Sequence, residues 1–294
     1  MTRRILVIVH PSRRNMAGAL DTANRTLTDA GIEAVSEYEH GVSEPVEAAL
    51  VLGGDGTMLR AVETTYGGAI PLLGVNLGRV GFLAEAERDD VAMAAEALAE
   101  GRYTVEERGT LELTLTRPDG SVSTDWALNE ATVERAIPRR TLEVTVEVDG
   151  RPLSTFGCDG VVVATATGST AHAFSAGGPV VWPDVDALLF VPLAAHALFS
   201  RPLVVGPRSE FAIEIARSSS TPGIVVCDGA RTLEAPQGSR IEVRRSDYCV
   251  RLARLTDETF ADRLITKFSL PTRGWRGELG GGGPVIPDPG DLED

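Results

Sequence analysis

Three short segments of the sequence carry side chains able to do chemistry together. The first is Gly53-Gly54-Asp55-Gly56-Thr57, which ends the apolar run Ala48-Ala49-Leu50-Val51-Leu52 and precedes a helical stretch from Met58 to Thr65. Glycines at such a turn permit positive φ and let backbone N–H groups approach an anion with no Cβ in the way. The helix that follows aims the positive end of its dipole at the same place. An acidic side chain in the middle of an anion site repels phosphate unless it holds a metal or takes a proton from an attacking hydroxyl. Two readings therefore stand side by side for Asp55. Either it caps the helix and the glycines only turn the chain, or it serves a reaction. Arg60, one turn further on, either neutralises phosphate charge or lies on a solvated helix face.

The second segment runs from Asp159-Gly160 through the apolar stretch Val161-Val162-Val163-Ala164 into Thr165-Ala166-Thr167-Gly168-Ser169-Thr170-Ala171-His172-Ala173-Phe174-Ser175. Its hydroxyls and free amides suit a sugar, a diphosphate or a carboxamide, although a loop of small residues also occurs with no ligand. The third is Asn129-Glu130, an adjacent amide and carboxylate able to receive a ribose diol or an amino group. On its own such a pair is also a common turn.

The elements that must position these groups come in two styles. Ile5 to Val9 is a β-branched run, Ala17 to Ala30 is helical and ends at Gly31, and Pro71 to Asn76 is a further strand. A glycine-punctuated loop, Leu77-Gly78-Arg79-Val80-Gly81-Phe82, follows, and Asp89 to Glu100 is an alanine-rich helix closed by Gly101. Strands alternating with helices predict an α/β layer with a mostly parallel sheet, so Gly53–Thr57 falls at a strand's carboxyl end, where such sheets bind ligands. Beyond residue 107 the period changes to two, with Leu111, Leu113 and Leu115, then Leu142, Val144, Val146 and Val148, on one face. Phe211 to Ile215 and Ile241 to Arg244 repeat the pattern. The expected organisation is an α/β domain over 1–107, completed by about 251–275, and a β-rich, sandwich-like domain over 108–250. Thr259 to Phe268 returns to helical spacing, and 276–294, rich in Gly, Pro and acidic residues, reads as a disordered tail.

Charge narrows the ligand. Lys plus Arg number 28 against 42 Asp plus Glu, a net charge of −14. The field of so acidic a chain repels polyanions, which argues against nucleic acid or an anionic membrane as partner. A small phosphate ligand held by a few local donors remains open. Lys267 is the only lysine, and it stands in Leu264-Ile265-Thr266-Lys267-Phe268, so a phosphate loop of the G-x-x-x-x-G-K-[ST] type is excluded. Cys158, Cys227 and Cys249 form neither a disulfide framework nor a zinc spacing, and a reducing, cytoplasmic setting is the expectation. No apolar run reaches the roughly 18 residues of a membrane-spanning helix.

Taken together, the three segments resemble the NAD kinases. The resemblance rests on Gly53-Gly54-Asp55-Gly56-Thr57, on Gly74-Val75-Asn76-Leu77-Gly78-Arg79-Val80-Gly81-Phe82-Leu83, and on Asn129-Glu130. It continues through Asp159-Gly160, Thr167-Gly168-Ser169-Thr170-Ala171, Ser175-Ala176-Gly177-Gly178-Pro179, His196 with Arg201-Pro202, and Cys227-Asp228-Gly229. It spans roughly residues 3 to 275, and the arginine-rich style resembles actinobacterial members. The glycine-aspartate turn alone is shared with lipid kinases and phosphofructokinases. A lipid or small-metabolite kinase and a non-catalytic nucleotide-binding regulator are thus the other two expectations.

What the resemblance implies is transfer of the γ-phosphoryl group of ATP, or of polyphosphate, to the 2′-hydroxyl of the adenosine ribose of NAD. It implies an α/β domain followed by a β-sandwich-like one, a homodimer or homotetramer with NAD bound near a subunit contact, and a divalent metal, magnesium arriving with ATP. Asp55 would accept the hydroxyl proton, and Gly53, Gly54, Gly56, Thr57 and Arg60 would cradle the donor phosphates. On the NAD side, Asp55 and Gly56 would be joined by Asn129 and Glu130 at the adenosine end. Asp159 would bond a ribose or the carboxamide-bearing part. Thr170, Ala171, His172, Ala173, Phe174 and Ser175 would line the pocket. Arg140 matches a basic position that faces the nucleotide, a role its neighbour Arg139 could take instead. His196 reads as structural.

This sequence departs from the family pattern in four places. Ala166 stands where proline is usual, His172 where tyrosine is usual, Ala230 where Gln or Arg is frequent, and Ala194-Ala195 before His196 is atypical. A tyrosine offers a base more stacking area than an imidazole. His172→Tyr is therefore expected to lower the Michaelis constant for NAD, read from initial rates; an unchanged or raised constant counts against base stacking at this position.

Overall fold

Apolar runs buried on both faces make the parallel half of the molecule. The computed structural model describes residues 2–10, 17–36, 45–78 and 81–272. The tail expected over 276–294 and the Arg79-Val80 step of the glycine-punctuated loop lie outside the described residues. The first elements are β1 (Arg4–Val9), α1 (Ala17–Asp29), β2 (Glu33–Ser36), β3 (Ala48–Leu52), α2 (Asp55–Thr65), β4 (Pro71–Asn76), β5 (Ala86–Glu87) and α3 (Val91–Glu100). Parallel pairing sets β4, β3, β1 and β2 side by side. Alternate residues serve opposite faces, as the pleat requires. Ile5, Val7, Leu50 and Leu52 pack with α1 and α3, while Leu6, Ile8 and Val51 pack with Met58, Ala61 and Val62 of α2.

Two helix starts differ from the expectation. Helix α2 begins at Asp55, not Met58, because the first turn of a helix needs no apolar residue and periodicity therefore finds the start late. Helix α3 starts after a 3-10 turn at Arg88–Asp90, where Glu87 and Asp90 close a reciprocal capping box. Gly101 ends α3 in the left-handed conformation.

The β-rich part comprises β6 (Thr104–Thr116), β7 (Val122–Ala127), β8 (Glu130–Arg135), β9 (Leu142–Val148), β10 (Arg151–Cys158), β11 (Gly160–Thr165), α4 (His172–Ser175), β12 (Leu188–Leu193) and β13 (Leu203–Val205). It continues with β14 (Glu210–Ile215), β15 (Gly223–Cys227), β16 (Arg231–Ala235), β17 (Arg240–Arg254) and the closing helix α5 (Phe260–Phe268). A six-stranded sheet, β13-β12-β11-β8-β15-β16, faces the antiparallel half of a larger one. Between them Val133, Val161 and Phe190 meet Leu113, Val146, Phe211 and Val243, with the Phe190 and Phe211 rings 5.4 Å apart.

Among the described residues the larger sheet has eleven strands and runs without a break from the antiparallel to the parallel half. Strand β17 makes the join. Its first half pairs antiparallel with β14, and Arg251 and Leu252 pair parallel with Pro71 and Leu72 of β4. Strand β6 follows it along both halves, with a register shift between Arg245 and Cys249. The positions 107/108 and 250/251 fall inside these two strands. Among the described residues no helix is long and apolar enough to cross a membrane.

Leu252 is fully buried on β17, in the same cluster as Met58, Leu83 and Leu128. Leu252→Ala is expected to cost about 2–5 kcal/mol of stability, measured by urea unfolding followed by circular dichroism.

Candidate active site

Strand β3 ends at Leu52, and the chain turns at once into α2. None of Gly53, Gly54 or Gly56 has positive φ, so backbone freedom is not what the turn uses. Space is. A Cβ on Gly53 would strike the Thr57 side chain, whereas Gly54 and Gly56 face open space. The turn is anchored by Gly53, whose N–H donates to the Val75 carbonyl at 2.9 Å. Gly54 is the N-cap, and no side chain caps the helix, so the capping role considered for Asp55 is not the one it plays.

The Asp55 carboxylate instead reaches the loop after β4. It accepts the backbone N–H of Phe82 at 3.1 Å on Oδ2 and that of Leu83 at 3.1 Å on Oδ1. The approach is so close that a Cβ on Gly81 would lie 2.1 Å from Oδ1, so only glycine fits there. Each carboxylate oxygen offers about two acceptor directions. The half-buried side chain thus keeps acceptor capacity beyond these two bonds.

Asn129 and Glu130 are set by a residue that the sequence reading left without a role. Strands β15 and β16 are joined by Asp228-Gly229, both at positive φ (50° and 67°), the tight hairpin form that an Asp-Gly pair favours. From that tip the Asp228 carboxylate accepts the N–H groups of Leu128 at 2.8 Å, Asn129 at 2.7 Å and Glu130 at 3.3 Å. Arg231 lies 3.5 Å from the same carboxylate, bonds Asp125, and covers the Trp126 ring, which stacks on Tyr66 at 4.0 Å. Burial pushes the Asp228 carboxyl up, against the pull of those amides and of Arg231.

Glu130 is 7% exposed, and its Oε2 has no hydrogen-bond partner among the described residues. Burial, then the neighbouring Asp228 charge, pushes its carboxyl up to about 7, while the His172 backbone amide pulls the other way. The unpartnered oxygen is an acceptor at neutral pH and, once protonated, a donor.

The hydroxyl-rich loop is locked to the same spot. Thr165 donates its hydroxyl to the Leu128 carbonyl at 2.7 Å and its N–H to the Asn129 carbonyl at 2.9 Å. A Cβ on Gly168 would lie 2.0 Å from the Asn129 carbonyl oxygen, so this crossing too demands glycine. The buried Ser169 hydroxyl exchanges hydrogen bonds with the Val181 backbone and holds the loop down. Thr170 bonds Thr167, Ala173 is buried, and Phe174 and Ser175 are exposed.

These groups are brought together by shared packing. Met58 of α2, Leu83 beside Asp55's amide donors, and Leu128 beside Asn129 belong to one buried cluster. The Phe82 ring lies 6.0 Å from Phe268, which lies 4.8 Å from Phe174. Arg60 donates to the Val9 carbonyl and stays beside the glycine turn, since Val9 pairs with Leu52, while two expected residues stand at the far end of β11. Asp159 pairs with Arg135 at 2.5 Å, at the opposite end of β11 from Glu130's partner Ala164. Arg140 is exposed in the β8–β9 turn at that same far end. His196 forms a backbone bridge to Gly157, a structural contact. Cys158 and Cys227 are buried thiols pushed up to about 12, out of reach as nucleophiles.

A sequence model of the ATP-NAD kinase N-terminal domain matches residues 5–103, and one of the ATP-NAD kinase C-terminal domain matches residues 128–255. A relative from Streptomyces avermitilis, NAD kinase 2, is 55% identical over 258 residues, covering 87% of this chain and 85% of the relative. The chain belongs to the NAD kinase family. A NAD kinase from Leifsonia xyli is 52% identical across 95% of this chain and 98% of its own. The lipid-kinase and regulator expectations give way to an enzyme of this family.

The fold agrees as well. A crystal structure of yeast NADH kinase complexed with NADH superposes with a TM-score of 0.83 at 20% identity, over 92% of this chain and 89% of that one. An NAD kinase from Archaeoglobus fulgidus in complex with ATP gives 0.70 at 26% identity, over 90% and 97%.

Within this NAD kinase family member, Glu130 makes stability depend on pH. Its folded pKa lies above the ordinary carboxylate value, so the folded state holds the extra proton and loses stability as pH rises through about 4.5 to 7. Glu130→Gln removes that loss. The variant is expected to gain about 1–3 kcal/mol over the parent at pH 8 and to lose the advantage near pH 4.5, measured by urea unfolding.

Proposed function

We propose that Asp55 is the general base that accepts the proton of the 2′-hydroxyl of the adenosine ribose of NAD as that oxygen bonds the γ-phosphorus of ATP and ADP leaves, giving NADP. One observation carries the reading: a carboxylate at a helix N-terminus fixed by the amides of Phe82 and Leu83, with Leu83 packed in one cluster with Leu128, the residue before Asn129-Glu130. A carboxylate is a weak base for an alcohol. In a loose phosphoryl-transfer transition state, however, the nucleophile loses its proton late, so position matters more than basicity. Two amide bonds supply position, and the remaining acceptor sites of Asp55 receive the hydroxyl.

Open space at Gly54 and Gly56 supports binding of donor phosphates against the first amides of α2, with Thr57 beside them. Arg60, engaged at Val9, is kept as a supporting positive charge and not as a phosphate clamp. ATP is the donor we favour, with inorganic polyphosphate the other donor of the same chemistry. Among the described residues no group of three or more His, Cys, Asp or Glu could hold a metal ion. A magnesium ion would arrive on the triphosphate, and the carboxylate oxygens of Asp55, with acceptor directions still free, would be at hand to hold it. Such an ion would neutralise charge on the phosphates.

Asn129 and the unpartnered oxygen of Glu130 are suited to the adenosine end, with Thr170 to Ser175 lining the pocket. Asp159 lies roughly 17 Å from Ala164, the strand partner of Glu130, five strand steps along β11, and Arg140 is at the same end. We infer that they reach NAD from a second copy of the chain in a homodimer or homotetramer. The three free cysteines suit a cytoplasmic setting, and the net charge of −14 disfavours nucleic-acid and membrane partners.

Asp55→Asn keeps the shape and removes the base. Incubated with ATP, magnesium and NAD, with NADP read by a specific dehydrogenase, it is expected to turn over about 100- to 10,000-fold more slowly. NAD binding, followed by calorimetry, is expected to survive. Near-normal turnover would sink the role.

A further inference from the structure

Helix α5 lies beyond residue 255, where the second family model stops matching, yet it reaches the site through one side chain. Arg263 is 6% exposed. Its Nη1 donates to the Ala84 carbonyl at 2.8 Å and, more loosely, to the Phe82 carbonyl at 3.4 Å. Its Nη2 binds the Glu85 carboxylate. Arg254 of β17 completes the grip, donating to the Leu83 carbonyl at 3.3 Å and to Glu85 at 3.1 Å.

Glu85 is the anchor of both arginines. Its side chain is fully buried, and its other oxygen accepts the N–H groups of Leu255 and Thr256, each at 3.0 Å, and the Thr256 hydroxyl at 2.9 Å. Burial would raise its pKa, but the Arg263 bond, the Thr256 amide and the two guanidinium charges together hold it below the usual carboxylate value. A fully partnered buried carboxylate of this kind fixes the geometry of everything bonded to it.

The segment from Phe82 to Ala84 is therefore held from two sides. Its carbonyls face the two arginines, and the amides of Phe82 and Leu83 face Asp55. The Phe82 carbonyl and the Leu83 N–H belong to one peptide unit, so Arg263, that peptide and the Asp55 carboxylate form a continuous hydrogen-bonded series. A charge on the carbonyl side polarises the N–H on the other.

We propose that Arg263 is a positioning residue for Asp55, acting through the backbone of Phe82 to Ala84, with Glu85 holding the guanidinium in place. Helix α5 is thereby part of the catalytic apparatus and not merely a terminal brace. The inference rests on Asp55 being the base.

The test is Arg263→Met in the full chain, assayed for NADP formation at saturating ATP. kcat is expected to fall about 10- to 100-fold, the size of effect that a displacement of about 1 Å produces. The Michaelis constant for NAD is expected to stay within about threefold, since no binding group is removed. Amide hydrogen exchange at Phe82 and Leu83 is expected to quicken. Arg263→Lys keeps the cation and one donor, and it is expected to recover part of the lost kcat.

Wild-type kcat in a folded Arg263→Met protein overturns the proposal, as does a raised Michaelis constant with kcat intact. Should Arg263→Met fail to fold, Arg263→Lys decides alone: lowered kcat at constant Michaelis constant supports the proposal, and wild-type kcat overturns it. Asp55→Asn is run beside both. If it is active, the assignment of the base fails; if it is inactive beside a fully active Arg263→Met, only the present inference fails.

Discussion

Two backbone amides on one carboxylate organise this molecule. The bonds from Phe82 and Leu83 to Asp55 tie the first turn of α2 to the loop after β4, and much of the surrounding structure explains how that loop is kept still. Gly81 lets the carboxylate come close enough. Leu83 and Met58 pack under it with Leu128, which carries the Asn129-Glu130 pair into the same neighbourhood. In the role proposed for Asp55, the substrate is brought to a fixed carboxylate, which suits phosphoryl transfer, where orientation supplies most of the rate.

The second region repeats the device with the opposite partner. There a carboxylate is the clamp and not the clamped group: Asp228 gathers three successive N–H groups and sets Asn129 and Glu130 by their backbones. The arrangement is costly at Glu130, which is left buried, near another acid, with one oxygen unsatisfied. A folded chain tolerates such a group where a ligand completes it. The stretch from Thr165 to Ser169 is bolted to Leu128 and Asn129 at one end and to Val181 at the other.

Much of this was legible in the sequence, and the rest was hidden for identifiable reasons. The strand, glycine turn and helix around Asp55 announce themselves because each is local, and so does the switch to period two beyond residue 107. The Asp-Gly pair at 228–229 signals a hairpin, but nothing local says that its carboxylate will cap residues a hundred positions away. Glu85 and Arg254 are 169 residues apart, and buried ion pairs at that separation leave no periodic trace. Arg60 shows the converse: its place is local, and its partner is not. Spacing puts it one turn after the glycines, but a guanidinium takes the nearest carbonyl, and the end of β1 offers one. For Asp159 and Arg140 the resemblance alone implies contact with NAD, and β11 holds Asp159 at the other end from Ala164, the strand partner of Glu130.

The unbroken eleven-stranded sheet has a mechanical consequence. Enzymes built from two lobes on a flexible joint can shut like jaws around their reactants. Here β17 and β6 run through both lobes as a shared spine, and flexing it would tear ladder hydrogen bonds along its length. Any movement that admits a dinucleotide and expels water falls to the short connections at the sheet's rim.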